Sequence, residues 1–296
     1  LQKSGKRKYP AFPLNFAAVF QQKKPMTILR LCCLLVAMVC FQAGAVAQMR
    51  GWEVGAWGGA SNYFGDLNTN FRINRAHLAG AVSARYNFND RLALKFGFHA
   101  GQISAYDSDS DNTFENRRNL HFKSPIYDGA MTFEFNFLPY VHGHRELFYT
   151  PYVFAGPAFF YFNPQAELDG AWYNLVEQGT EGQFRGEEYN TTQAAFAYGL
   201  GFKTDLSYRW SINVEFCARK VFTDYLDDVS GVYPDMRDVE AQRGELAAMF
   251  VDRSFEPKIG EPGRQRGNGK NNDTYATLMV GIHYYFGSIR CPELVR

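Results

Sequence analysis

Apolar and polar residues alternate one for one along several stretches of this chain. Met131, Phe133, Phe135 and Phe137 fall on one parity and Thr132, Glu134 and Asn136 on the other. Trp210, Ile212, Val214 and Phe216 oppose Ser211, Asn213, Glu215 and Cys217, and Leu92, Leu94, Phe96 and Phe98 oppose Lys95 and His99. Side chains of a strand point alternately to its two faces, so each stretch predicts a strand with one apolar and one polar side. Eight such segments run through the chain, at roughly 51–63, 77–88, 91–104, 126–138, 150–162, 192–206, 210–221 and 274–286.

The connections sort by parity. Those after odd segments are long (about 64–76, 105–125, 163–191 and 222–273), and those after even segments are short (Asn89-Asp90, about 139–149, and Ser207 to Arg209). A Greek-key sandwich gives no reason for this sorting. An up-and-down barrel crossing a membrane does, because its periplasmic turns are short and its outer loops long. The prediction is an all-β fold, an eight-stranded antiparallel transmembrane β-barrel with long extracellular loops and both ends on the short-turn rim.

In such a barrel the polar parity faces inward. It carries Glu53, Arg85, Lys95, Glu134, Lys203, Glu215 and Arg219. Eight strands leave an interior that side chains fill, and charges persist there only when paired. The expectation is a salt-bridged plug in place of a pore. A proton or ion path along the same residues is the alternative.

The N-terminal region changes the charge balance. From Met26 to Ala47 the chain carries Arg30, an apolar stretch from Leu31 to Phe41 and Ala45-Val46-Ala47, which reads as a secretory signal peptide with cleavage after Ala47. Residues 1–25 read as an upstream over-call of the start or a basic extension, 48–286 as the barrel and 287–296 as a tail. The whole chain has 31 basic and 30 acidic residues. Seven basic residues precede position 48, with no acidic ones, so the exported part stands at about −6. That leaves no basic face for nucleic acid. Cys32, Cys33 and Cys40 lie in the signal, and Cys217 and Cys291 do not make a disulfide framework.

Enzyme chemistry finds no residues to stand on. No histidine is followed two positions later by serine, and no Gly-x-Ser-x-Gly elbow or phosphate loop occurs. Asp107 to Asn112 starts like a calcium loop but has Asn112 where glycine is needed and Arg118 where a glutamate is needed, so a solvated acidic loop is expected. His142 and His144 read as exposed turn residues for lack of a third ligand. Asp227-Asp228 is expected to fold its loop against Arg253 or Arg219, with a divalent-ion or lipopolysaccharide contact as the other reading. No cofactor and no catalytic or metal residue is assigned.

The last strand ends on Gly281, Tyr284 and Phe286, the Gly-x-x-aromatic-x-aromatic look of an outer-membrane barrel terminus, which implies the barrel assembly machinery as a partner. Met279 stands where the usual signal has a polar residue. Further motifs run in order from Gly58-Gly59-Ala60-Ser61-Asn62-Tyr63-Phe64-Gly65-Asp66-Leu67 through Thr150-Pro151-Tyr152-Val153-Phe154-Ala155-Gly156. Thr180-Glu181-Gly182-Gln183 follows, and then Thr223-Asp224-Tyr225-Leu226-Asp227-Asp228. In this order the chain resembles the PorG-like family, the small outer-membrane barrel of the type IX secretion system of Bacteroidota. The resemblance implies a non-enzymatic component of a machine that serves protein secretion and gliding motility, set in outer-membrane lipid and docked on a periplasmic ring lipoprotein and its partner. A free-standing surface barrel whose loops bind a ligand, a host molecule or lipopolysaccharide is the alternative.

Overall fold

The computed structural model describes residues 51–287. The signal segment, the basic extension and the tail with Cys291 lie outside the described residues.

Eight strands form the wall: β1 (Gly51–Phe64), β2 (His77–Asn87), β3 (Leu92–Tyr106), β4 (His121–Asn136), β5 (Tyr149–Phe162), and, after a two-strand hairpin β6 (Gln165–Leu168) and β7 (Ala171–Asn174), β8 (Thr192–Asp205), β9 (Trp210–Val221) and β10 (Thr274–Tyr285). Every wall strand pairs antiparallel with its sequence neighbour in the ring. β10 pairs with β1 from Glu53↔Tyr285 to Phe64↔Thr274, which closes the sheet. The fold is an all-β, closed, eight-stranded antiparallel barrel with its wall strands in up-and-down order.

The alternation decides which side meets what. On β5 each successive residue switches between exposed and buried along all 14 positions. Outward stand Val54, Phe98, Phe133, Leu200, Val214 and Ile282. A water-soluble wall would not expose such a belt; hydrocarbon requires it. At the short-turn rim the belt ends in an aromatic girdle. Trp52 packs on Tyr86 at 5.1 Å, Phe148 on Tyr149 at 5.1 Å, and Trp210 on Tyr284 at 5.0 Å.

The wall is taller than a bilayer on one side. β4 has 16 residues, roughly 50 Å of strand at about 3.3 Å per residue. It begins at His121, earlier than the sequence pattern indicates, because residues 121–125 continue the ladder with β3 up to Tyr106↔His121. In this upper part the inward parity is apolar instead of charged: Phe122, Phe160, Phe162 and Ile126 are fully buried around Tyr63 and Tyr275. Loop residues Leu67, Leu226, Val229 and Phe250 cap this core from above.

The long loops carry structure of their own. Helices α1 (Thr113–Arg118) and α2 (Leu175–Gln178) lie in the second and third, and α3 (Met236–Arg243) and α4 (Glu245–Val251) in the fourth. Good helix formers in Glu245–Val251 favour α4, which buries Ala247, Phe250 and Val251 and sets Phe250 5.6 Å from Tyr173 of β7.

Candidate functional site

Two polar constellations lie inside this shell, one in the membrane-level lumen and one under the outer loops.

The charged groups of the lumen come from inward positions of six strands. Glu134 of β4 is at the centre: Arg85 Nε lies 2.8 Å from it, and Lys95 and Lys203 each 3.4 Å. Arg85 also reaches Glu53 at 2.8 Å, and Lys95 pairs with Glu215. Tyr152 donates its hydroxyl to Glu215 at 3.0 Å. Glu53, Arg85, Lys95, Glu134, Lys203 and Glu215 thus form one connected network. Arg219 does not join it. It sits higher, 3.1 Å from Asp128, which also holds His99 at 2.8 Å. The sequence reading missed Asp128, although it shares the parity of Thr132 and Glu134. A cavity of about 40 Å³ separates the two clusters, lined by Trp57, Ser83, Lys95, His99, Asp128 and Glu215 among others. That is room for about three waters and no solute.

The short-turn mouth is stoppered by the 139–149 link. His142 is not an exposed turn residue. It is 4% exposed, lies 3.0 Å from Glu53 and 2.9 Å from Asp205, and stacks on Tyr285 at 4.4 Å. The two carboxylates and the ring face together draw it inward. Asp205 also accepts from the Tyr140 hydroxyl and the Gly143 amide. His144 stays outside, its Nδ1 accepting from the Glu146 and Leu147 amides.

Under the outer loops the two separated motif segments meet. Thr180 donates to the Asp228 carboxylate at 2.5 Å. Glu181 accepts from the Ser230 and Gly231 amides at 2.9 and 3.0 Å. Gly182 turns at φ 84° against Pro234, where a side chain would clash. The Gln183 side chain accepts from the Glu181 amide, and the Gln183 backbone carbonyl accepts from Arg243. Thr223 accepts from the Tyr225 amide, Tyr225 stacks on Tyr189 at 4.7 Å, and Leu226 is buried in the upper core.

The partner of Asp228 is Arg266, not Arg253 or Arg219. Arg266 lies 3.1 Å from Glu181 and 3.8 Å from Asp228, and donates to the Asp228 carbonyl. Arg253 turns instead to the Glu167 carbonyl and the His121 ring. Asp227 accepts from the Tyr63 hydroxyl at 2.5 Å, and Asp273 stands 2.9 Å from the same oxygen. Burial pushes the Asp227 and Asp273 carboxyls well above the usual carboxylate range, helped by the charges of Asp273 and Asp66 at Asp227 and of Asp224 and Asp66 at Asp273. Burial likewise lifts Asp224 to about 7 and Asp228 to about 6. Among the described residues no three carboxylate, imidazole or thiol side chains converge in a metal-binding geometry.

The acidic stretch at 107–112 is solvated only in part: Ser108, Asp111 and Asn112 are exposed. Asp107 is buried and takes a two-point contact from Arg118, at 2.7 Å on each oxygen, while Asp109 pairs with Arg75 at 2.6 Å. Arg118, which breaks the calcium pattern, neutralises Asp107 and then donates to the Arg266 and Asp66 carbonyls, tying three loops together.

At the closing seam, Gly281 faces inward against the Trp57 indole, and Tyr284 and Phe286 extend the aromatic girdle with centroids 4.8 Å apart. Cys217 is a free, buried side chain of the inner wall.

A closed antiparallel wall with an apolar belt, an aromatic girdle, a filled lumen and a parity of short turns and long loops defines an outer-membrane β-barrel. The chain belongs to the family described as Domain of unknown function (DUF6089), whose match spans residues 30–247. No curated protein matches it. Solved structures similar to it include Ail, the attachment invasion locus protein of Yersinia pestis (10% identity, 80% of this chain and 100% of that chain, TM-score 0.40). Others are Neisserial surface protein A (10%, 80% and 97%, 0.42) and OprG from Pseudomonas aeruginosa (9%, 82% and 100%, 0.36).

Proposed function

We propose that this barrel is a non-enzymatic outer-membrane component of the type IX secretion machinery that docks a periplasmic ring lipoprotein and its partner. The observation that carries the reading is the meeting of the two motif segments. Thr180–Gln183 and Thr223–Asp228 are the residues on which the family resemblance is most specific, and they lock together through Asp228, Glu181 and Arg266. Residues that hold one rigid cap in place are what a scaffold requires. The lumen supports the same reading, because a cavity of about 40 Å³ between two ion-pair clusters carries no solute. The ring contact falls on the short-turn rim, where Arg145 and Glu146 of the 139–149 link are exposed.

The test is deletion of the gene combined with co-purification. Deletion should abolish secretion of type IX cargo and leave small-solute permeability of the outer membrane unchanged. Arg145→Glu with Glu146→Lys should weaken co-purification with the ring lipoprotein while His142 still stoppers a folded barrel. Cargo secretion that survives deletion refutes the role. The second reading, a free-standing surface barrel, draws support from the size and order of the outer loops. It gains if only loop variants, and no rim variant, change what co-purifies.

A further inference from the structure

The belt is not uniform around the barrel. On the outer face of β1 to β5 an open groove of about 640 Å³ is lined by Val54, Val82, Phe98, Met131, Pro157 and Phe159 among others. Its floor is Gly129, paired with Phe98 on one side and Phe159 on the other. A Cβ added there would meet nothing within 4 Å. A groove this open can seat acyl chains, and the missing side chain at Gly129 leaves a notch between Phe98 and Phe159 where one of them can lie.

What stands above the notch is charged. Up the same face of β4 come Tyr127, which stacks on Tyr161 at 6.4 Å and marks the top of the apolar belt, and then Lys123 and His121. Lys123 lies six residues from Gly129, about 20 Å along the strand. With the usual strand tilt of about 40° this is a rise of roughly 15 Å, the depth of one leaflet. Its Nζ sits 3.3 Å from the centroid of Trp172, on the β6–β7 hairpin. It has no ion pair among the described residues. Beside it, Tyr106 stacks on His121 at 5.1 Å, and Arg75 lies over Tyr106 at 4.3 Å. Asp109 neutralises Arg75, and Arg253 directs its guanidinium to the His121 ring and the Glu167 carbonyl, so Lys123 is the cation of this face left with neither an ion pair nor a hydrogen-bond partner among the described residues. An indole fixes the ammonium in place without supplying the negative charge that an ion pair would.

We propose that this face binds the phosphorylated glycolipid of the outer leaflet, one acyl chain in the groove over Gly129 and a phosphate on Lys123. The groove and the cation are separate observations, and their spacing is that of a lipid tail and its head. The long-loop rim faces the outer leaflet, which sets the lipid class. The proposal rests on residence in the outer membrane and not on the secretion role, so the two stand or fall separately.

The experiment uses the full exported chain, folded in nanodiscs of phosphatidylcholine and offered lipid A, dephosphorylated lipid A or phosphatidylglycerol, with retained lipid read by native mass spectrometry. The wild type should retain lipid A about tenfold more than the dephosphorylated form, the effect of one charge-assisted contact. Lys123→Glu should lose that preference. Gly129→Leu fills open space outside the wall, so the barrel folds, and it should lower retention of both forms of lipid A. Equal retention of the phosphorylated and dephosphorylated lipids overturns the proposal, as does wild-type retention by both variants. Displacement of lipid A by an equal amount of phosphatidylglycerol overturns it as well.

Discussion

The Tyr63–Asp227–Asp273 triad makes the outer cap sensitive to pH. One phenolic hydrogen cannot serve two carboxylates at 2.5 and 2.9 Å. Both contacts form only when one of the two carboxyls carries a proton and donates it to the phenol oxygen. Asp224 and Asp66 lie in the same field and raise the cost of ionisation further. The folded cap therefore holds protons that the unfolded loops release at ordinary carboxylate values. Stability from these groups is complete below about pH 4 and is lost as pH rises through their raised values, which for Asp228 and Asp224 are about 6 and 7. The rise of Asp228 from 3.8 to about 6 corresponds to about 3 kcal/mol lost between those limits. Asp273→Asn tests the reasoning, because an amide supplies the missing hydrogen. Its nitrogen can donate to the Tyr63 oxygen while its carbonyl oxygen accepts from the Leu226 amide, as Asp273 now does. Hydrogen exchange of residues 222–273, corrected for intrinsic rates, should speed up from pH 5 to pH 8 in the wild type and do so less in Asp273→Asn. An equal pH dependence in the two proteins refutes the triad argument.

Three other outcomes follow from the lumen, the seam and the cap. Glu134→Ala strands Arg85, Lys95 and Lys203 without their shared carboxylate, and should cost about 3–5 kcal/mol, seen as a lower midpoint in urea unfolding followed by gel mobility. Gly281→Ala drives a methyl into the Trp57 indole and should cost about 1–3 kcal/mol, whereas Gly58→Ala, with open space around it, should leave the same midpoint unchanged. Glu181→Ala removes the acceptor of Ser230 and Gly231 and a partner of Arg266, so protease should cleave the fourth loop faster while the wall stays folded.

The sequence by itself determined the wall. Alternation is a local property, enforced at each residue by lipid on one side and packed polar groups on the other, so Glu134 and Phe133 declare their faces without reference to any other strand. The parity of loop lengths then orders the strands. Tertiary structure decided who meets whom. Closure of the ring assigns Arg219 to Asp128 and leaves Glu134 to Arg85, Lys95 and Lys203, because partners across a lumen depend on register and curvature that no single strand encodes. The loops were still less legible. Arg266 and Glu181 lie 85 positions apart, and irregular backbone carries no period from which their meeting could be read. His142 shows the same limit: as a turn residue it reads as exposed, and only the closed mouth sets Glu53 and Asp205 where burying an imidazole is favourable.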